Sequence, residues 1–347
     1  MITEIVRLTD DRIEEKLQIA AEIIKSGGLV VFPTETVYGL GGNATDPNAA
    51  EAIYAAKGRP TDNPLIIHIA DPSNAEEYAY TSVDYYRIAD AFMPGPITVV
   101  LKAKESVPMT TRGGLDTVAV RCPSDKIANK LIRLAGVPIA APSANISGSP
   151  SPTIARHVIK DMDGKVDMII DGGDCDFGLE STIVKLESKG RLTLLRPGRI
   201  TISDLEAIGF EVSVAEAVVG KLKEGEKPLS PGMKYRHYAP KAPVFLFDGT
   251  CEQLVEHVKE HNDKKIGIIW YREELSLISD RLDNIELFDI GSRYDLKEQA
   301  HCLFAVLRNA DEKSFDEIFA PMPPKEGIGL ALYNRMIRAA AHQIIRM

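Results

Sequence analysis

Seven short apolar runs rich in β-branched residues crowd the first two-thirds of the chain: "LVVFP", "PLIIHIA", "ITVVLKA", "TVAVRCP", "VPIAAPS", "STIVKLE" and "RLTLLRPG". Each has the length and composition of a buried strand. Several follow one another without a helical stretch between them, and the last two read as a hairpin. Parallel neighbours need a crossover of about a dozen residues or more, usually a helix. This succession therefore argues against a purely parallel, doubly wound sheet and predicts a mixed, twisted α/β sheet.

Helices take the remaining gaps. Asp10 to Ser26 carries Ile13, Leu17, Ala20 and Ile24 on one stripe and is stopped by Gly27 and Gly28. "TDPNAAEAIYAAKG" opens with Asp46 as cap and Pro47 in the first turn, and ends on Gly58. "DKIANKLIRLAG" is another helix. The character then changes at "LSPGMKYRHYAPKAP", Leu229 to Pro243, which is dense in Pro, Gly and Tyr and reads as a linker. Beyond it "VFLFDG", "KIGIIWY", "NIELFDIG" and "FDEIFAP" read as strands alternating with helices. "GIGLALYNRMIRAAAHQIIR" reads as a long closing helix. That alternation predicts a small open-sheet α/β domain of Rossmann-like type.

Composition excludes several classes. At 347 residues, 44% apolar and 26% charged, the chain has room for two ordinary soluble domains. A net charge of −9 argues against a surface coated in nucleic acid but permits a local cationic cavity. No apolar run reaches the roughly 18 residues of a membrane span. The start "MITEIVRLTDDRIEE" is too acidic and too poor in apolar residues to read as a signal peptide, and the cysteines below point to a cytoplasmic location. Cys122, Cys175, Cys251 and Cys302 lie far apart without CxxC spacing, which suits buried, reduced thiols. GxxxxGK[ST], GxSxG and HExxH are absent, so no protein-built metal site is expected. Any magnesium would be held mainly by the phosphates of a nucleotide.

Three stretches carry candidate chemistry. In "KGRP", Lys57 ends a helix and Arg59 follows on a glycine hinge stiffened by Pro60, with Asn63 just before the next strand. Lys57 alone would only complement the helix dipole, but two cations on a stiff loop at a strand edge suit phosphate. In "APSANISGSPSPT", Ser143, Asn145, Ser147, Ser149 and Ser151 crowd a loop at the end of a buried strand. The loop is either a plain Ser/Pro turn or a ligand wall facing the cations. In "TVAVRCP", Arg121 ends an apolar strand and shares a face with Thr117, so it needs an anion. That anion is either an internal carboxylate or a substrate's. His68 in "PLIIHIA" fits a satisfied core histidine, and Glu180, Ser181, Thr182 and Arg196 are weak candidates at strand ends.

The ordered set "FPTETVYGLG", "KGRP…NPL…H", "PGPITVVL", "VAVRCP", "APSANISG" and "GLESTIV" resembles the YrdC-like domain. The tail after "SPGMKYRHYAP" resembles the C-terminal domain of long-form threonylcarbamoyl-AMP synthases. The likeness spans nearly the whole chain. It implies residues 1–210 as a YrdC-like catalytic domain whose twisted sheet holds a large cavity, 211–243 as linker and active-site lid, and 244–347 as a Rossmann-like domain. It implies an enzyme that makes threonylcarbamoyl-AMP and pyrophosphate from L-threonine, bicarbonate and ATP. A separate transferase then passes the threonylcarbamoyl group to tRNA next to the anticodon. The resemblance places Lys57, Arg59, Ser143 and Asn145 in the catalytic set. It places Arg59, Asn63, Thr117, Ser143, Ser151, Arg196 and Tyr235 (with Tyr238 close by) on ATP, and Thr36, His68, Arg121, Ala141 and Ser181 on threonine. Mg2+ would accompany ATP, and RNA contact would be weak. Two rival classes fit less well: a double-stranded RNA-binding module, against the charge of −9, and a hydrogenase-maturation type carbamoyltransferase, whose zinc-finger cysteines are missing.

Overall fold

The computed structural model describes residues 2–7, 12–220, 238–260 and 263–347. They form two units: one holds the described residues through 147 and from 151 to 220, the other Gly148–Pro150 and the described residues from 238 onward.

The first unit is built on β1 (Glu4–Arg7), β2 (Val30–Phe32), β3 (Gly39–Asn43), β4 (Ile66–His68), β5 (Ile97–Lys102), β6 (Thr117–Arg121), β7 (Ile139–Ala140), β8 (Met168–Asp171), β9 (Thr182–Ser188), β10 (Arg191–Arg196) and β11 (Glu211–Val214). They make one sheet in the order β1-β8-β2-β3-β7-β4-β6-β5-β9-β10-β11. Parallel pairs such as β4–β6 and β5–β9 alternate with antiparallel pairs such as β5–β6 and β9–β10. This is the mixed sheet that the unspaced strands required. The helix Ile13–Lys25 buries Leu17, Ala20, Ala21 and Ile24. They pack with Val30, Phe32, Met168 and Ile170 of the sheet and with Leu131, Ile132 and Ala135 of the helix Lys126–Ala135.

The glycines of β3 have a packing reason. A Cβ on Gly41 would lie 2.6 Å from the Phe32 ring and 2.8 Å from Ile139, so only hydrogen fits between the flanking strands. The close approach lets β2, β3 and β7 pack while Phe32 stays fully buried.

Two expectations are corrected. The segment read as linker from 211 begins inside the sheet: Glu211–Val214 pairs in parallel with β10, and Glu216–Val219 is a helical turn. The alternation "EVSV" is a strand signal too short to stand out beside the helix before it. The long closing helix ends at Ala339, and Ile344–Arg346 is a strand. Ala341 and His342 have φ of 49° and 67°, values that break a right-handed helix.

The second unit contains β12 (Val244–Asp248), β13 (Ile266–Trp270), β14 (Ile285–Asp289), β15 (Glu317–Pro321) and β16 (Ile344–Arg346), all parallel, in the order β14-β13-β15-β12-β16. Trp270, Phe247, Leu254 and Phe319 form much of its core.

Candidate active site

The site begins with a helix that stops on time. Asp46 caps the helix Pro47–Lys57 by accepting the Asn48 N–H at 2.9 Å, and Gly58 ends it in the left-handed region at φ 61°. Lys57 is thus the last helical residue, and it is buried. Its ammonium donates to the Ser143 carbonyl, to the Asn145 carbonyl at 2.6 Å and to Asn145 Oδ1 at 3.3 Å. Its own carbonyl accepts Ser147 N–H at 2.9 Å. The helix end therefore grips the polar loop from both its main chain and its side chain. Ser143 donates to Asn145 Oδ1 at 2.5 Å, and Gly39 bridges to Ser143, which hangs the loop on the end of β3.

Arg59 turns back on its own loop. Its Nε donates to the Asn63 carbonyl at 3.3 Å and its Nη2 to the Pro64 carbonyl at 3.1 Å. The side-chain oxygen of Asn63 is buried with no hydrogen-bond partner among the described residues, an acceptor held ready for a donor.

A row of buried polar groups crosses the sheet. Strand register sets His68 of β4 beside Arg121 of β6, and Arg121 beside Thr98 of β5. Thr98 Oγ lies 2.8 Å from Ser181 Oγ, and Arg196 donates to the Ser181 carbonyl at 3.0 Å and to its hydroxyl at 3.1 Å. An apolar sheet has no folding need for such a row, because each polar group costs desolvation that its hydrogen bonds only partly return. Thr117 sits at the other end of β6 from Arg121. At about 3.3 Å per residue the two are roughly 13 Å apart on one face, a span that suits an elongated ligand.

The imidazole of His68 is neutral. Burial, then the charge of Arg121, holds its pKa down to about 3. Its Nδ1 lies 3.3 Å from the Ile139 carbonyl, which can only accept, so Nδ1 carries the proton and Nε2 the lone pair.

Two carboxylates complete the site: Glu35, which the sequence did not single out, and Glu180, one of its weak candidates. Glu35 pairs with Arg121, Oε1 to Nη2 at 2.7 Å, so the internal-carboxylate reading of Arg121 is realised in this structure. The contact is one of charge, without directed geometry: neither Glu35 oxygen makes a hydrogen bond, nor do Nε and Nη2 of Arg121. Glu180, noted at a strand entrance, accepts the Ser151 hydroxyl at 2.6 Å. Thr36 is buried at 2.9 Å from the hydroxyl of Thr34, which also donates to the Val37 carbonyl at 2.7 Å and so fixes the "TETV" turn. The Ala141 N–H is spent on the Ile66 carbonyl at 2.9 Å.

Lys57 with Ser143 and Asn145, and His68, Arg121, Ser181 and Arg196, are thus drawn into two connected groups. Tyr235 and most of the expected lid lie outside the described residues. Tyr238 belongs to the second unit, where it is buried and stacked on Phe304 at 5.1 Å. Among the described residues, no group of His, Cys, Asp and Glu could hold a metal ion, and no helix is long and apolar enough to cross a membrane.

Comparison with known proteins also divides the chain in two, with the family boundary near residue 199, inside the first unit. The family described as "Telomere recombination" matches residues 22–198, and the family "Threonylcarbamoyl-AMP synthase, C-terminal domain" matches residues 200–341. The chain is 46% identical to the threonylcarbamoyl-AMP synthase of Pyrococcus abyssi, over 97% of this chain and 98% of that one. It is 41% identical to the Bacillus subtilis enzyme of the same name, over 98% of each. A crystal structure of P. abyssi Sua5 complexed with L-threonine superposes with a TM-score of 0.89 at 44% identity, covering 100% of both chains.

Proposed function

The chain belongs to the threonylcarbamoyl-AMP synthases in their long, two-domain form, and from that premise we propose how its own residues divide the work. It is a nucleotidyltransferase that makes threonylcarbamoyl-AMP for the threonylcarbamoyladenosine modification of tRNA. The substrates in this reading are L-threonine, bicarbonate and ATP. Magnesium arrives on the ATP phosphates. A separate tRNA transferase consumes the product. Four cysteines without a disulfide suit work in the reducing cytoplasm.

The observation that carries the assignment is the buried row His68–Arg121–Thr98–Ser181–Arg196. Arg121 takes the α-carboxylate of threonine, where a planar fork matches two oxygens. Neutral His68 and Thr36 bound the rest of the amino acid, and Ser181, on the inner edge of the row, faces threonine. Ala141 supplies main-chain shape. ATP lies against Arg59, Asn63, Thr117, Ser143 and Ser151 and meets the threonine row at Arg196, while Tyr235, its remaining expected contact, lies outside the described residues. The unpartnered Asn63 oxygen suits an exocyclic amine of the base.

Threonine's amine and bicarbonate first give N-carboxy-threonine, whose carboxylate attacks the α-phosphate and expels pyrophosphate. An anion attacks an anion, so catalysis is chiefly positioning and charge neutralisation. Arg59 supplies positive charge directly. Lys57 places its charge behind the Ser143–Asn145 turn and holds that turn to the nucleotide.

Labelled bicarbonate tests this division. Label should enter an acid-labile adenylate only when threonine and ATP are both present. Arg121→Ala should raise the threonine requirement at least tenfold and leave that for ATP within about twofold. Equal losses for both substrates would refute the separation into two arms.

A further inference from the structure

Glu35 has no task in the mechanism above, yet it is buried on the residue that is to hold the substrate. Its main chain is fixed: the Glu35 carbonyl accepts Phe177 N–H at 2.9 Å, and Thr34 Oγ accepts the N–H groups of Thr36 and Val37 at 3.1 and 3.2 Å. The side chain is the part left free to turn. Its Oε1 lies 2.7 Å from Arg121 Nη2, with the two side chains 10% and 5% exposed, and neither carboxylate oxygen makes a hydrogen bond.

A buried ion pair recovers its desolvation cost only when directed hydrogen bonds satisfy the remaining lone pairs and protons. This pair lacks them, so each partner is open to a better one. A substrate carboxylate that offers two oxygens to the guanidinium fork is that better partner for Arg121. The other groups facing Glu35 are Cys122 beside Arg121, Asp125 at the start of the helix Lys126–Ala135, and Cys175. Burial pushes the Cys122 thiol up to about 12 and the Cys175 thiol up as well, so both stay protonated. Burial and the charge of Glu35 push the Asp125 carboxyl up. Arg121 is the cation among these groups. Once its charge is turned to the substrate, Glu35 has lost its cationic partner and keeps two buried acceptor oxygens for a proton donor of the substrate.

We propose that Glu35 is a proton acceptor of the threonine pocket: the substrate carboxylate displaces it from Arg121, and its freed carboxylate takes a proton from the threonine ammonium. The N–H bond breaks, its electron pair stays on nitrogen, and an O–H bond forms on Glu35. The amine then attacks the carbon of bicarbonate. The N–C bond forms as a C–O bond breaks, and the departing hydroxide takes a second amine proton and leaves as water. The proposal rests on the assignment of Arg121 to the threonine carboxylate.

The test uses the full chain as wild type, Glu35→Gln and Glu35→Asp. Pyrophosphate release is followed from about pH 6 to about pH 9, threonine binding by calorimetry, and folding by thermal unfolding. Glu35→Gln should bind threonine at least as tightly as wild type, because Arg121 has lost its competitor. Near neutral pH it should release pyrophosphate about a hundredfold more slowly, with a rate that climbs with pH as the amine ionises unaided. Glu35→Asp should be slower but keep the wild-type pH profile, and it carries the test if the Gln variant does not fold. Turnover of Glu35→Gln within about threefold of wild type on an unchanged profile would overturn the proposal and leave Glu35 a structural counter-ion. So would loss of threonine binding in Glu35→Gln, or a Glu35→Asp profile that follows the free amine. A wild type that releases pyrophosphate without threonine would bring down the pocket assignment as well. A threonine-dependent wild type with an indifferent Glu35→Gln sinks this proposal alone.

Discussion

A histidine buried beside an arginine must stay neutral, and neutrality has a pH cost elsewhere. The pKa of His68 falls from 6.5 to about 3 on folding. Below about 6.5 the unfolded chain binds a proton that the native state refuses, so the contribution of His68 to stability is full above that pH and is lost as pH falls toward 3. Urea unfolding should therefore show stability declining by up to about 1.4 kcal/mol per pH unit on the acid side, and His68→Asn should remove that component. An unchanged acid slope in the variant would contradict the buried, neutral imidazole. The sequence presents His68 only as a histidine in an apolar run, which fits a core residue equally well; its register beside Arg121 supplies the difference. Arg121 was legible as a buried cation in need of an anion. Glu35 was not legible as that anion, because nothing local ties a glutamate in the "PTET" turn to a strand end 86 residues later. Only the sheet order β2-β3-β7-β4-β6 brings the turn between β2 and β3 to the end of β6.

Punctuation decided which elements could be read. The helix Pro47–Lys57 announces both of its ends, with Asp46 before Pro47 and Gly58 after Lys57, and it forms over that span. Removing the cap with Asp46→Ala should cost about 1 kcal/mol in chemical denaturation. Lys57→Met should cost more, about 1–3 kcal/mol, because it takes the ammonium donor from the part-buried Ser143 carbonyl and the buried Asn145 carbonyl. It should also weaken ATP binding, since the loop loses its pin. Gly41→Ala inserts a methyl 2.6 Å from Phe32 and should destabilise by about 1–3 kcal/mol, measured in the same way. Among the strands that the sequence did not announce, β1, β3, β8, β11 and β16, the last two are short edge strands of 4 and 3 residues. Their signals span too few residues for periodicity to separate them from the helices they follow. The polar loop was legible as a possible ligand wall, but its attachment to the end of the helix through Lys57 was not.

For the molecule as a whole, a site built from two arms should report its ligands separately. Anything that binds only the native state stabilises it by about 2.7 kcal/mol at a hundredfold excess over Kd. Thermal unfolding should rise with ATP alone and with threonine alone. Arg121→Ala should lose the threonine increment and keep the ATP increment, and the reverse pattern would contradict the placement of the arms. The mixed sheet and the second parallel α/β unit were foreseeable from the order of apolar runs, because spacing decides which connections exist. Their strand order was not, since pairing among so many short strands is settled by contacts distant in sequence.

The central claim is that this pocket couples threonine and bicarbonate to adenylyl transfer. The most direct measurement is pyrophosphate release from ATP by the full-length protein, with and without L-threonine and bicarbonate. The account predicts release that needs both, and that falls by about a hundredfold or more in a folded Arg59→Ala variant. Release indifferent to threonine, or undiminished in that variant, would contradict it.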